Sequence, residues 1–169
     1  MYPLTRNVLS TVALALTIVV GTTTAFAGKE DAPGQNRSPT IIDIALNDPD
    51  NFSTLTAAVV CTGLLDPLDG NRQFTVFAPT NDAFALLGLD ANNICEVDGL
   101  AGILLYHVAP GERFSDDVLA SDQIRMLNGD FTYPSIQAEL PFINEAQIVI
   151  PDVDAVNGVV HVIGEVLLP

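Results

Sequence analysis

The chain has no tryptophan, few basic residues, and only two cysteines and two histidines. Its 169 residues include 6 Lys and Arg against 21 Asp and Glu, which gives a formal net charge of −15. We expect no nucleic-acid partner, because the chain lacks the basic surface that releases phosphate counterions. The same charge disfavours binding to an anionic membrane surface. Two cysteines also cannot form an all-cysteine zinc site, which needs four ligands.

Hydrophobic residues make up 49% of the chain. That share is enough to form the core of one domain. An apolar run over residues 8–20 follows Arg6 and precedes Ala25-Phe26-Ala27. This pattern is typical of a secretory signal peptide. We predict that residues 1–27 are cleaved off, leaving a secreted, extracellular or periplasmic protein without stable membrane insertion. The alternative is an uncleaved membrane anchor, although the run is short for a bilayer span.

Residues 28–37 are polar and rich in glycine, proline and charge, so we predict a disordered tail here, followed by one domain over residues 38–169. Export would place Cys61 and Cys95 in an oxidising compartment, where an even pair is expected to form a disulfide. Two unpaired buried thiols are the alternative. A catalytic thiol is disfavoured because neither cysteine has a histidine close in sequence.

The periodic segments predict helices early and strands late, which indicates an α+β domain. Ser38-Pro39 is expected to start a first helix and residues 47–49 to end it. A second helix is predicted over about residues 50–61, with Gly63 as its stop. Its buried stripe is predicted to contain Phe52, Leu55, Ala58 and Val59.

Strand signals begin at residues 74–77, and an apolar stretch over residues 100–106 is expected to be a buried helix. Residues 128–130 lie between two β-rich runs and begin with Asn-Gly, which predicts a tight hairpin. Asn157-Gly158 predicts a second turn just before the β-rich run at residues 159–166. We therefore expect an antiparallel sheet.

Three segments resemble the fasciclin domain family. Residues 75–84 read TVFAPTNDAF and are similar to its first signature block. Residues 105–108 read LYHV and resemble its Tyr-His motif, and residues 157–169 read NGVVHVIGEVLLP and are similar to its second block. Their order and spacing also fit, and the resemblance covers roughly Thr40 to Pro169. The chain departs from the family at Gly164, where Asp is usual, so the contact made by that carboxylate is in doubt here.

The resemblance implies a fasciclin-like fold in which N-terminal helices pack on a twisted antiparallel β-sandwich wedge. It also implies an extracellular role in adhesion or surface association, without catalysis or a cofactor. By family position Tyr106 and His107 are candidate binding residues, because the Tyr-His region of animal members is associated with integrin binding. A structural role in the core is the alternative for both side chains.

Asp82, His107 and His161 are candidates for a structural polar link. Asp82 follows the predicted strand, His107 follows the apolar helix, and His161 lies inside an apolar strand. A histidine among apolar neighbours usually uses its ring nitrogens for structural hydrogen bonds. We therefore expect Asp82 and His107 to form a buried link between the first signature block and the Tyr-His motif, with His161 also structural.

No set of residues predicts catalysis or metal binding. A Ser-His-Asp triad is available by composition, but the chain has no Gly-x-Ser-x-Gly turn and both histidines lie in apolar segments. Asp152 and Asp154 fall on one side of an extended segment without EF-hand spacing, so a solvated loop is favoured over a calcium site. We expect no catalytic residue, no metal and no cofactor.

The leading prediction is a secreted, non-enzymatic adhesion or surface-interaction domain whose partner is an extracellular protein or glycan surface. The alternative is a carrier of an apolar ligand such as a carotenoid, which some fasciclin-like proteins hold. The groove of such a carrier would be lined by Leu86, Leu87, Ile103, Leu104 and Phe142. The acidity fits either a saline habitat or a cationic partner.

Overall fold

The computed structural model describes residues 38–68 and 72–169. They belong to one unit, Asn36–Pro169. The signal peptide expected over residues 1–27 and the tail expected over residues 28–37 lie outside the described residues. Within the described part, none of the helices has the length and apolarity that a bilayer span needs.

The described residues form six α-helices and one 3-10 turn, most of them before the long strands. Their bounds are Ile41–Asn47 (α1), Pro49–Thr62 (α2), Leu65–Leu68 (α3), Asn81–Ala85 (α4), Leu100–Tyr106 (α5) and Ser115–Leu119 (α6), with the 3-10 turn at Ile94–Glu96. The buried helix predicted over residues 100–106 has the bounds of α5. The two early helices are also confirmed.

The first helix begins two residues later than the proline pattern predicts. Thr40, not Ser38, is the N-cap, and its hydroxyl accepts a hydrogen bond of 3.1 Å from the Asp43 N–H. The Asp43 carboxylate accepts one of 2.9 Å from the Thr40 N–H in return. This reciprocal capping box needs an acceptor side chain three residues after the cap. Ser38 has Ile41 at that position, so it cannot form one.

Helix α2 buries the apolar stripe that its periodicity predicts, and it ends as expected. The buried residues include Phe52, Leu55, Ala58 and Val59. Gly63 follows the helix in the left-handed region at φ 68°, and its N–H donates to the Val60 carbonyl at 3.2 Å. Glycine adopts this conformation without the steric cost that a Cβ brings.

The predicted disulfide joins the end of α2 to the 3-10 turn. Cys61 and Cys95 are bonded across a sequence separation of 34 residues, with their Cα atoms 5.8 Å apart. That separation lies within the usual range for disulfides. The disulfide therefore connects two helical segments, and no strand takes part in it.

The strands are β1 (Phe74–Pro79), β2 (Val108–Pro110), β3 (Ile124–Arg125), β4 (Phe131–Thr132), β5 (Pro134–Gln137), β6 (Leu140–Ile143), β7 (Ala146–Ala155) and β8 (Gly158–Ile163). Six of them form one sheet in the order β2-β1-β8-β7-β6-β5, and β3 pairs with β4. The hairpin predicted around residues 128–130 is the connection between β3 and β4.

One internal pair of the sheet is parallel, which corrects the expectation of an antiparallel sheet. β1 runs alongside β8 from Phe74 opposite Gly158 to Pro79 opposite Ile163. The other strand pairs are antiparallel. Parallel strands need a long crossover connection, and here most of the domain lies between β1 and β8. The α+β class and the fasciclin-like architecture of helices on a curled sheet are confirmed.

The turn at Asn157-Gly158 joins β7 to β8 as predicted. Gly158 has φ 142°, and a Cβ built there would lie 1.8 Å from the Phe74 carbonyl oxygen, so only glycine allows the two strands to approach. The buried Asn157 side chain accepts from the Ile41 N–H at 2.9 Å and donates to the Leu68 carbonyl at 2.7 Å. This turn therefore also holds the start of α1.

Both faces of β1 and β8 are covered, and every residue of the two strands is buried. On one face the helices contribute Ile41, Phe52, Leu55, Val59 and Leu104 to a cluster with Val76 and Val160. The opposite face places Phe77 and Ile163 in a second cluster with Tyr106, Val118, Met126, Ile143 and Leu167. Side chains alternate between the faces of a strand, so the two signature blocks contribute to both clusters.

Candidate functional site

His107 joins two segments of the chain from inside the domain. It follows α5 directly and is 2% exposed. Its Nε2 accepts a hydrogen bond of 2.9 Å from the Leu167 N–H, and its Nδ1 lies 2.8 Å from the Ile103 carbonyl oxygen. Because Nε2 must accept, Nδ1 carries the proton and donates a hydrogen bond to the Ile103 carbonyl. Burial lowers the pKa of His107 to about 4, although the bond to Ile103 opposes that shift.

The expected link between Asp82 and His107 is wrong. Asp82 lies in the first turn of α4 and is exposed. Both ring nitrogens of His107 already have backbone partners, Ile103 and Leu167. The histidine is structural, as expected, but it joins α5 to the C-terminal segment instead of the first signature block. At that end of β1 the side chain of Thr80 caps α4 by accepting from the Ala83 N–H at 3.4 Å.

His161 is a second internally bonded histidine, in the middle of β8. Its Nδ1 accepts from the Asp152 N–H at 3.2 Å, and its Nε2 donates to the Arg113 carbonyl at 3.0 Å. Its ring stacks on Phe77 with the centroids 5.5 Å apart. Burial lowers the pKa of His161, while the Arg113 bond and the charge of Asp152 oppose this. The structural role predicted for His161 agrees with these contacts, although neither Asp82 nor His107 is its hydrogen-bond partner.

Tyr106 is buried with its hydroxyl in a small hydrogen-bonded cluster. The hydroxyl donates to the Phe131 carbonyl at 3.0 Å and accepts from the Asn144 amide at 3.0 Å. Asn144 has φ 53°, and its side-chain oxygen accepts from the Tyr133 N–H at 2.8 Å. Asn144 therefore connects the β6–β7 turn to Tyr106 and to Tyr133. The sequence did not single out Asn144 as a structural residue. The signal that could have indicated it is an asparagine in a turn, a residue that tolerates positive φ.

Tyr106 and His107 do not form a contact surface in this structure, which corrects the binding role carried over by family position. They are 5% and 2% exposed, and their polar atoms are bonded to other parts of the domain. A side chain in this state can support a surface but cannot itself touch a partner. The alternative, a structural role for both, is the one that their contacts support.

Ser115, Asp152 and His161 lie close together, but they do not form a catalytic triad. Asp152 accepts from the Ser115 N–H at 2.6 Å and from its hydroxyl at 2.5 Å. The Asp152 carboxylate thus caps the start of α6. No nitrogen of His161 remains free to take a proton from Ser115, because both are bonded to backbone groups. Ser115 therefore has no free imidazole beside it, which a Ser-His-Asp triad needs as its general base.

Asp152 and Asp154 are not part of a larger group of metal-ligating side chains in the described part of the chain. Residues 38–68 and 72–169 contain no group of three or more His, Cys, Asp or Glu side chains that could bind an ion. Asp152 is engaged with Ser115 and is not part of a solvated loop, which is where sequence reasoning placed it. Its φ of 58° lies in a stretch of β7 where the pairing register shifts.

The residues proposed to line a carrier groove do not share one cavity. An apolar cavity of about 40 Å³ lies under α1, and Leu104 is among its lining residues. Leu86 and Leu87 instead line an external groove. A cavity of this size has room for molecules of the size of water only. In this conformation it has no room for a carotenoid.

The external groove has a volume of about 430 Å³, which is larger than that of the cavity under α1. Its walls are the end of α4, the β6–β7 turn and the C-terminal segment. The lining residues are Ala83, Leu86, Leu87, Asn144, Glu145, Ala146, Glu165, Val166, Leu167 and Leu168. Gly164 lies directly before this segment, and a Cβ there would only touch Val149 at 3.5 Å, so the site has room for the family's Asp.

Comparison with known proteins places these features in a family. The fasciclin domain model matches residues 50–169. Protein sll1483 of Synechocystis sp. is 40% identical over 136 residues, which cover 77% of this chain and 73% of that protein. The transforming growth factor-beta-induced protein ig-h3 of Sus scrofa is 37% identical over 132 residues, which cover 77% of this chain but 19% of that protein.

A solved structure shows the same fold. The FAS1 domain pair from the insect cell adhesion molecule Fasciclin I is similar with a TM-score of 0.64 and 21% identity, over 79% of this chain and 52% of that chain. Fasciclin domain proteins are extracellular and non-enzymatic, which agrees with histidines whose nitrogens are all bonded to backbone. From the match over residues 50–169, the chain belongs to the fasciclin domain family.

Proposed function

We propose that this chain is a secreted adhesion domain that binds an extracellular protein or glycan surface. The observation that carries the proposal is the membership of the fasciclin family over residues 50–169, together with a fold shared with a cell adhesion molecule. The side chains of Tyr106, His107 and His161, which the sequence singles out, are bonded inside the domain. A function of this chain therefore has to use its outer surface.

The outer surface is suited to contact with polar partners. The formal net charge of −15 keeps the domain hydrated and apart from other copies of itself. Several large apolar side chains are nevertheless exposed, among them Leu86, Tyr133, Ile136 and Leu168. Apolar groups on a charged exterior are a common composition for an interaction surface.

The experiment is a gene deletion in the producing organism, complemented by two forms of the protein. Attachment to a surface coated with extracellular matrix from the same culture is expected to fall several-fold on deletion. The full chain should restore it. A form that lacks residues 1–27 should not restore it, because it is not exported, and the mature protein in the medium should begin at Gly28.

Unchanged attachment in the deletion strain would contradict the proposed function. Restoration by the form without residues 1–27 would contradict the export step alone. The two failures are thus separated by comparing the deletion strain with the two complemented strains.

A further inference from the structure

We propose that the external groove between α4, the β6–β7 turn and the C-terminal segment binds a cationic, leucine-containing segment of a partner protein. This inference rests on the proposed function and names the chemistry of the partner. Tyr106 and His107, which the family resemblance singles out as binding residues, do not line this groove.

The lining of the groove includes leucines that the fold leaves in contact with water. Leu86 is 74% exposed, Leu87 45% and Leu168 56%. Leu86 and Leu87 are adjacent in sequence, and Leu168 comes from the distant C-terminal segment. Burying such side chains against an apolar group of a partner is favourable. The composition therefore favours a ligand with aliphatic side chains of its own.

The walls of the groove are held in place before any ligand arrives. Asn144 fixes the β6–β7 turn through Tyr106 and Tyr133. His107 holds the Leu167 N–H, and the Gly164 N–H donates to the Gln147 carbonyl at 3.0 Å. A preformed site binds with less loss of conformational entropy than one that must be ordered. The buried polar residues near the Tyr-His motif thus support the groove from beneath.

The negative charge of the groove favours a partner segment with positive charge. Glu145 and Glu165 line it and are exposed, and no Lys or Arg is among its lining residues. Within the described residues the cations are Arg72, Arg113 and Arg125, and none of them lines the groove. Electrostatic complementarity favours Lys or Arg beside the aliphatic side chains of the ligand. A second copy of this chain is disfavoured, because it carries the same negative charge.

The test uses a labelled peptide of sequence KLLKLLKK, with ELLELLEE and KSSKSSKK as comparison probes. Amide spectra of the mature protein are recorded during titration. We expect KLLKLLKK to shift the signals of residues 83–87, 144–146 and 165–168, and both comparison peptides to bind at least tenfold more weakly. The first comparison removes the cations and the second removes the leucines. Absence of binding by KLLKLLKK, or shifts confined to other residues, would overturn the proposal.

Two double variants separate the groove from the overall charge. Glu145→Lys with Glu165→Lys changes two lining residues, and Glu96→Lys with Glu139→Lys changes two exposed glutamates outside the groove. Both pairs change the net charge equally. We expect a loss of at least tenfold in peptide affinity for the groove pair and less than twofold for the control pair. An equal loss in both would mean diffuse attraction and would overturn the groove as the site.

The same variants distinguish this proposal from the proposed function. Cells that carry the groove pair should attach like the deletion strain, and cells that carry the control pair should attach like wild type. If both pairs attach like wild type, the groove proposal fails and adhesion stands. If the deletion strain itself attaches normally, the adhesion proposal fails. A dimer in sedimentation that the groove pair abolishes would identify a second copy as the occupant and would overturn the peptide proposal.

Discussion

At the scale of the residue, His107 contributes to stability by satisfying two backbone groups, the buried Leu167 N–H and the partly buried Ile103 carbonyl. We expect His107→Phe to leave the Leu167 N–H and the Ile103 carbonyl without this partner. A buried group that loses its hydrogen bond costs about 1–3 kcal/mol, so the variant should lose about 2–4 kcal/mol of unfolding free energy. Urea denaturation at about pH 7.5 measures the loss.

Asp82→Asn is the matched control for this variant. The Asp82 side chain is exposed in the first turn of α4, so its charge contributes little to the folded state. The variant should stay within about 0.5 kcal/mol of wild type, as exposed substitutions usually do. An equal loss in the two variants would restore the link between Asp82 and His107 that these contacts exclude.

The partners of His107 show what a sequence can reveal at this scale. Ile103 lies one helical turn before His107, so that bond is within reach of local reasoning. Leu167 is 60 residues further along the chain, and no local pattern predicts that its N–H meets the ring. The same holds for Asp152, whose carboxylate reaches Ser115 across 37 residues. The structural role of the histidines was predictable from their apolar neighbours, but the identity of their partners was not.

At the scale of the element, the disulfide joins α2 to the 3-10 turn across 34 residues of chain. In the chain-entropy view, closing a loop of this length stabilises the fold by roughly 3 to 4 kcal/mol. We expect the double variant Cys61→Ser, Cys95→Ser to lose about that much and to remain folded at room temperature. Guanidinium denaturation of the oxidised wild type and the double variant measures the difference.

Reduction of the wild type provides the control for this prediction. Wild type with about 5 mM dithiothreitol should match the double variant, and the variant should not respond to the reductant. Both cysteines are exposed, so the serine side chains leave no cavity. A double variant as stable as oxidised wild type would show that the loop is already restrained in the unfolded chain.

Elements with local signals were predictable, and those that depend on distant pairing were not. The apolar stripe of α2, the glycine that ends it and the two Asn-Gly turns each carry their signal within a few residues. The parallel pairing of β1 with β8 brings Phe74 opposite Gly158 and has no local signature. The groove also escaped prediction, because three distant segments form its walls.

At the scale of the whole molecule, the two buried histidines make stability depend on pH. The pKa of His107 falls from 6.5 to about 4 on folding, and that of His161 is also lowered. Between those values the unfolded chain binds more protons than the native chain, so the free energy of unfolding decreases as pH falls. The contribution of His107 is complete above pH 6.5 and is lost progressively toward pH 4, and that of His161 is lost in the same direction.

The size of this effect follows from the shift of His107 alone. A fall from pH 7.5 to pH 5 should cost about 2 kcal/mol of unfolding free energy, because the native imidazole stays neutral while the unfolded one is protonated. Urea denaturation across this range, in about 1 M NaCl, measures it. That salt reduces the screening length to about 3 Å, which suppresses the change in repulsion among the carboxylates of a chain with a net charge of −15.

The variant His107→Phe decides whether the pH dependence arises from this residue. It removes the titrating group, so its unfolding free energy should fall less steeply between pH 7.5 and pH 5 than that of wild type. The remaining slope belongs to His161, which stacks on Phe77 and is buried in β8. A wild-type profile that is flat in this window would show that folding changes the proton affinity of neither ring, and a slope unchanged by the substitution would exclude His107 as its source. In that case the neutral ring that holds Leu167 beside the groove would not be the pH-sensitive part of the domain.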